Sequence, residues 1–416
     1  MKPIQWCVCI VFSCCVCGVA GETFAFKYAA GDAYRILSVV EEDVIVNGEF
    51  SHQAEILNRI AVTITDADEE GNGVHDAVFM TSETALGAAG QTFSWGNEYR
   101  SIFTRSRLGK YTMEDTYFMP VVRDVPLFPD YDVQVGDTWV AEGHEAHDLR
   151  MSFNIQTPYT VPFAASYTYE GTIPAEDGRV LHQISCRYNM FFESPQPLPP
   201  DAGRAASDID LLWQDYPAST MGYSHQTIFW DNEAGQIDHY TENFRIIIET
   251  AYGNTFEFKG TAHAEVERTP RDTDSSENLA FVQDRIRDLG LENTEVSVAD
   301  EGLTIRIENI QFKPDSAELE DSERLKLRQI ADILRQFPDN DLLISGHTAL
   351  AGSAGARQTL SEQRAAAVAE YLIELGVKDK YHIFARGFGG ERPIADNTTE
   401  EGRERNRRVE ITILDQ

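Results

Sequence analysis

Cysteine is almost absent from this chain beyond residue 17. Five of its six cysteines (Cys7, Cys9, Cys14, Cys15 and Cys17) crowd the first 17 residues, and Cys186 stands alone downstream. A disulfide framework is therefore excluded for the rest of the chain, and stability has to come from packing. Positive charge is also scarce: 35 Lys+Arg face 68 Asp+Glu, a formal net charge of −33. From Glu301 onward the counts are 16 and 21, which leaves 19 and 47 upstream. A field of that sign repels phosphate backbones, whose binding depends on Lys and Arg displacing counterions, so nucleic acid is excluded as an expected partner. After the first 20 residues no apolar run approaches the ~20 residues that a membrane-crossing helix needs. Nucleophile-elbow, phosphate-loop and dinucleotide signatures are missing too, so neither an enzyme nor a cofactor is expected.

Lys2, the apolar run Trp6 to Val19 and the small residues Val19-Ala20-Gly21 form an export signal, residues 1–21. The protein is expected in the periplasm or in association with an outer membrane. Val11-Phe12-Ser13-Cys14 offers a lipid anchor at Cys14 as a lesser alternative, because the apolar stretch before it is short.

From Thr23 to about Val266 the pattern is strand after strand. Asn47-Gly48 between β-formers signals a hairpin, and Phe163, Ala165, Tyr167 and Tyr169 alternate with polar or smaller neighbours, as do Ile184, Cys186, Tyr188 and Met190. Two antiparallel, sandwich-like β domains are expected, 22–145 and 146–267, with a Pro-rich loop (Pro195, Pro197, Pro199, Pro200) in the second. Residues 268–278 are polar and read as a linker. Beyond it the period changes. Leu279, Val282, Ile286 and Leu289 recur at helical spacing; Val296 and Val298 pair with Leu303, Ile305 and Ile307 as a hairpin; Leu327, Ile330, Ala331 and Leu334 mark another helix. The fold class is thus α+β multidomain, with an α/β domain over 279–416.

Thr359 and Glu362 have capping-box spacing, which predicts a helix starting near Leu360 and places Arg364 close to its first turn. A cation sits poorly against the positive end of a helix dipole unless it serves an anion. Spacing alone favours a solvated arginine.

Ile310-Gln311-Phe312, Asp315-Ser316-Ala317-Glu318-Leu319, Ser345-Gly346-His347-Thr348, Leu360-Ser361-Glu362-Gln363-Arg364-Ala365, Gly387-Phe388-Gly389 and Asn406-Arg407-Arg408-Val409 occur in order. In this the region from Gln283 to Leu414 resembles the OmpA-like C-terminal domain. The resemblance implies non-covalent binding of the peptidoglycan stem peptide: an Asp after Gly-His-Thr grips the ammonium of diaminopimelate, and the Arg of Leu-Ser-x-x-Arg-Ala grips its carboxylate. Arg364 matches the second role, and His347, Thr348, Asn406 and Arg408 fall at pocket positions. Ala349 occupies the Asp position and Arg357 the usual Asn. Losing one partner of such a clamp costs about 2–5 kcal/mol. The expected function is a non-enzymatic envelope tether or organiser whose clamp is incomplete, with envelope proteins as further partners of the acidic β domains. Two alternatives stand beside it: a scaffold that no longer binds peptidoglycan, and a small outer-membrane β-barrel with a periplasmic anchor.

No metal is expected. Asp66 to Gly73 begins like a calcium loop but has Ala77 where a bidentate Glu is needed, and reads as a hairpin turn. His144 and His147 are three apart beside β-patterned sequence; they read as part of a solvated acidic loop, and on a strand they would face opposite ways.

Overall fold

The computed structural model describes residues 21–85, 92–194, 215–269, 275–299, 301–313 and 316–415. The expected export signal up to residue 20, Cys14, the Pro-rich loop, Asp315 and residues 270–274 of the expected linker lie outside them. The strands of the first part are β1 (Ala33–Val46), β2 (Glu49–Ala67), β3 (Gly73–Ala85), β4 (Phe93–Ser94), β5 (Asn97–Arg105), β6 (Tyr111–Thr112), β7 (Val122–Arg123), β8 (Thr138–His147), β9 (Tyr159–Pro174), β10 (Val180–Glu193), β11 (Pro217–Asp231), β12 (Gln236–Thr250) and β13 (Thr255–Thr269). A one-turn helix, α1 (Arg150–Phe153), precedes β9.

All but β4 join one antiparallel sheet in the order β6-β5-β3-β2-β1-β13-β12-β11-β10-β9-β8-β7. In place of the expected pair of sandwich-like domains, a single sheet runs through residue 145, and its first and thirteenth strands are neighbours, with Ile36 opposite Val266. Period-2 alternation states which face a residue takes but not which strand it pairs with, so sandwich and curled sheet share one signature. The sheet curls until its two edges meet through the 106–125 segment. Ser101 Oγ donates to Met119 O (2.8 Å), and the Tyr111 N–H donates to Asp124 Oδ1 (2.7 Å).

The inner face holds the core: Phe24, Phe26, Trp139, Tyr167, Ile184, Cys186, Tyr188 and Trp230 in one cluster, Val62, Ile64, Phe79 and Phe103 in another. Burial drives the Cys186 thiol up to about 12, so it is inert core. The outward rows are polar, as in Thr261, His263, Glu265 and Glu267 of β13. The outer face turns apolar where β1 and β2 carry Leu37, Val39 and Leu57. The Asp66–Gly73 run makes the β2–β3 turn, where Asp68 Oδ1 accepts the N–H groups of Glu70 and Asn72. His144 and His147 lie on β8 instead of in a loop; His147 faces Glu145 (3.0 Å) and His144 faces outward near Asp124 (3.9 Å).

The second part comprises α2 (Ser275–Asp288), β14 (Thr294–Ala299), β15 (Gly302–Glu308), α3 (Asp321–Leu334), β16 (Leu342–Gly346), α4 (Ala354–Glu374), β17 (Ile383–Gly387), α5 (Glu400–Asn406) and β18 (Arg408–Leu414). Its sheet has the order β14-β15-β18-β16-β17-β4. One face, with Ile305, Ile344, Ile383 and Ile411, packs on the helices. The other face, with Leu343, Phe384 and Leu414, packs on Leu57, Met80 and Phe93 of the first part. Three layers result: helices, the smaller sheet, and the outer face of β1 to β3. The strand β4, donated by the first part, runs parallel to β17 with Phe93 opposite Phe384.

A buried charge cluster fixes this docking. Asp341, fully buried, accepts Arg59 Nε of β2 at 2.5 Å, forms an ion pair with Arg35 Nη1 of β1 at 2.6 Å, and lies 2.9 Å from His382 Nδ1. Burial alone would raise its pKa, but His382, Arg59 and Arg35 hold it down to about 2. Beside it Glu55 accepts from Lys380 Nζ (2.7 Å) and from the Tyr381 hydroxyl (3.0 Å). A carboxyl depressed from its ordinary value near 3.9 contributes stability that is complete above pH 4 and disappears as pH falls toward 2. The shift corresponds to about 2 kcal/mol. Asp341→Asn should flatten this acid limb of a urea-denaturation pH series and, at pH 7, destabilise by about 3–5 kcal/mol, because the buried Arg59 guanidinium loses its anion and Arg35 keeps only Glu267. An unchanged pH profile would assign the docking energy elsewhere.

Candidate functional site

Helix α4 presents the residues singled out in the sequence. It begins at Ala354, capped by Ser353, whose side chain accepts the Ala356 N–H. Thr359 therefore lies inside the helix, and Arg364 stands in its third turn. The dipole argument for Arg364 fails with the displaced start, since terminal charge acts only within the first turn. The helix lies directly on the ends of β16 and β17: a Cβ at Gly346 would meet Ser361 O at 2.1 Å, and one at Gly387 would meet Glu362 N at 2.6 Å. Ser361 Oγ donates to Gln358 O (2.7 Å) and accepts the Gly389 N–H (2.8 Å), tying helix to loop.

Arg364 is half-buried, and its guanidinium lies 4.7 Å from the Phe312 ring centroid. Its Nε is buried without a hydrogen-bond partner, and among the described residues no carboxylate is within ion-pair distance. Burial and the nearby Arg407 both lower its pKa. Arg407 is itself paired with Glu400 (3.0 Å). A guanidinium on a ring platform without an acid partner among the described residues, with a second guanidinium nearby, makes a receptor for a carboxylate or another oxyanion.

The remaining sequence candidates divide. Asn406 is fully buried; its Oδ1 accepts the N–H groups of Ile394 (2.8 Å) and Ala395 (3.0 Å), and its Nδ2 donates to Ala395 O (2.8 Å). Arg408, also buried, donates to Glu410 Oε1 (2.8 Å), and His347 stacks on Phe388 with Nε2 3.4 Å from Glu410 Oε2. Burial depresses the His347 pKa, while His347 and Arg408 together hold Glu410 well below the usual carboxylate range despite its burial. These three side chains serve loop backbone, Glu410 and Phe388. Thr348 keeps a buried hydroxyl without a partner, and Ala349 is 5% exposed. Arg357 donates to Gly352 O (2.6 Å) and lines a groove of about 700 Å³ at the start of α4. That groove holds residues the sequence reading passed over: Trp95 from the first part, and Arg386 and Arg392, whose guanidinium groups lie 4.8 and 3.8 Å from the Phe388 centroid. The motif residues Arg357, Glu362 and Gly387-Phe388-Gly389 also line it.

Residues 311–407 match the model of the OmpA family. The peptidoglycan-binding protein ArfA of Mycobacterium tuberculosis is 44% identical over 104 residues, which cover 25% of this chain and 32% of ArfA. The probable lipoprotein YiaD of Escherichia coli is 37% identical over 137 residues, covering 32% of this chain and 60% of YiaD. Among solved structures, an outer membrane protein from Borrelia burgdorferi is 37% identical, covers 29% of this chain and 97% of its own, and has a TM-score of 0.25. The chain thus spans about a third of ArfA and three fifths of YiaD, and these likenesses concern the second part alone.

Asn406→Ala should cost about 2–4 kcal/mol in urea denaturation, since three hydrogen bonds and a filled site are lost, whereas Arg364→Ala should stay within about 1 kcal/mol. A reversed order would make Arg364 the structural residue and Asn406 the exchangeable one.

Proposed function

With an OmpA family domain at residues 311–407 as the premise, we propose that this envelope protein holds peptidoglycan through a carboxylate of the stem peptide, with Arg364 as receptor. In this reading it is a binding protein and not an enzyme, and it tethers or organises the envelope. The observation that carries the reading is the Arg364 guanidinium over Phe312, with Nε unbonded and no ion-paired acid among the described residues. Ala349 supplies no anion for an ammonium group, so the site favours a wall peptide that offers carboxylate over one that must be held as a zwitterion. The three-layer docking gives the tether its stiffness, because load on the wall-facing domain passes into β1 and β2 through Asp341 without a flexible joint.

The scaffold reading has one observation in its favour. Ala349 is sealed at 5% exposure, so the ammonium half of the clamp is filled with hydrocarbon. On that reading the acidic outer face of the curled sheet meets protein partners, and wall binding is lost.

Co-sedimentation with diaminopimelate-type sacculi separates the two. The tether reading expects the wild-type protein in the pellet and a loss of at least tenfold for Arg364→Ala. Ala349→Asp should strengthen retention tenfold or more, because a charged hydrogen-bond partner is restored. Wild-type protein that stays in the supernatant with these sacculi and with those of its source would replace the tether by the scaffold.

A further inference from the structure

The segment from Glu22 to Asp32 crosses one mouth of the curled sheet. Its N–H and carbonyl groups bond to Val133, and its Phe26 and Lys27 N–H groups donate to Arg107 O and Gly235 O. Beneath it is a cavity of about 320 Å³, walled by Phe26, Tyr28, Tyr34, Ile36, Ile64 and Val266. Lys27, Arg105 and Arg268 also line it, against a single acid, Asp32. That balance inverts the surrounding unit, which carries most of the chain's charge of −33.

Arg105 is the buried member of the three, 7% exposed, with its guanidinium 3.9 Å from the Phe26 centroid and 4.8 Å from that of Tyr111. Its hydrogen bonds are long, to Gly109 O at 3.4 Å and Val125 O at 3.3 Å. The nearest acid, Asp124, is engaged by Lys110 Nζ (2.8 Å) and the Tyr111 N–H (2.7 Å). Among the described residues no carboxylate pairs with Arg105, and the Tyr28 hydroxyl beside the same cavity is buried with no partner at all. Lys27 donates only to the carbonyls of Asn232 and Glu233, both at 3.0 Å. A buried cation without an anion and a buried donor without an acceptor are each costly, and one oxyanion answers both. At 320 Å³ the space lies at the low end of small-molecule sites, roughly 300–1,000 Å³. It suits a single ring or one medium-length chain and excludes a two-tailed lipid.

We propose that this cavity binds a small organic anion, a carboxylate on an apolar body, with its head on Arg105 and Tyr28 and its body against Tyr34, Ile36, Ile64 and Val266. The site is independent of Arg364 and of any wall contact. Decanoate is a suitable probe, with decanol and decyltrimethylammonium as tail-matched controls, titrated into the purified protein by calorimetry. Decanoate should bind once per chain, at least tenfold more tightly than decanol, and the ammonium probe should not bind. Tyr28→Phe should weaken decanoate three- to tenfold, and Val266→Trp, which fills the space, should abolish its binding. Arg105→Gln should lose at least thirtyfold; should it fail to fold, the other two variants still decide. Equal binding of decanoate and decanol, unchanged binding to Val266→Trp, or no binding of decanoate would each overturn the proposal.

Discussion

The carboxylate of Asp341 is the constraint around which the two parts of this protein are organised. Arg35 and Arg59 stand on the outer face of a sheet whose other outward rows meet water, and both are more than nine-tenths buried. Without Asp341 the docked arrangement would strand the desolvated Arg59 guanidinium and leave Arg35 with Glu267 alone, and burying Leu57 and Met80 would hardly offset that. Asp341 precedes β16, so the same residue that neutralises the arginines fixes the strand carrying Gly346, against which α4 lies. The position of Arg364 is in this sense inherited from an ion cluster on a different layer. The borrowed strand β4 works in the same direction, since the Trp95 N–H donates to Ala385 O at 2.8 Å and covers the edge of the smaller sheet.

Much of the fold was legible because periodicity reports faces. Tyr167, Cys186 and Ile228 were marked, or markable, as inward by alternation alone, and the switch to helical spacing at Leu279 located the second part. What alternation omits is partnership. The β1–β13 pairing joins residues about 230 apart in sequence, and no local pattern encodes it. The docked face did leave a local sign: Ile36, Leu37, Val39 and Val40 are apolar on both faces of β1, as befits a strand covered on both sides. Arg35 and Arg59 in the outward rows then read as solvated until Asp341 arrives from the other part.

The helix that carries Arg364 was legible in the sequence, and its start was misread. Thr359 and Glu362 have the spacing of a cap, but the small-residue stretch before them continues the helix outward to Ser353. Glu362 instead accepts from Gln358 Nε2 at 2.7 Å, one turn earlier. The recurring polar residues of the motif turn out to serve unlike ends. Ser361 and Asn406 hold loops in register through backbone groups, and Arg408 and His347 balance Glu410. A motif compresses architecture and recognition into one string, and only burial with hydrogen-bond accounting separates them.

Charge supplies that separation in this chain. With 68 acids to 35 bases, a partner for an arginine is easy to provide, and most arginines have one: Arg100 has Asp76, Arg245 has Glu257, Arg306 has Glu410 and Arg405 has Glu308. Against that background Arg364 and Arg105 stand out, each packed on an aromatic ring and neither ion-paired with an acid among the described residues. Aromatic stacking orders a guanidinium without neutralising it, which preserves its fork of donors for an incoming oxyanion. The acidic exterior then repels polyanions more strongly than a single carboxylate, because the repulsion grows with the charge of the approaching molecule. On the readings proposed above, isolated arginines offer single carboxylates a site that an acidic protein can sustain where a basic patch cannot form.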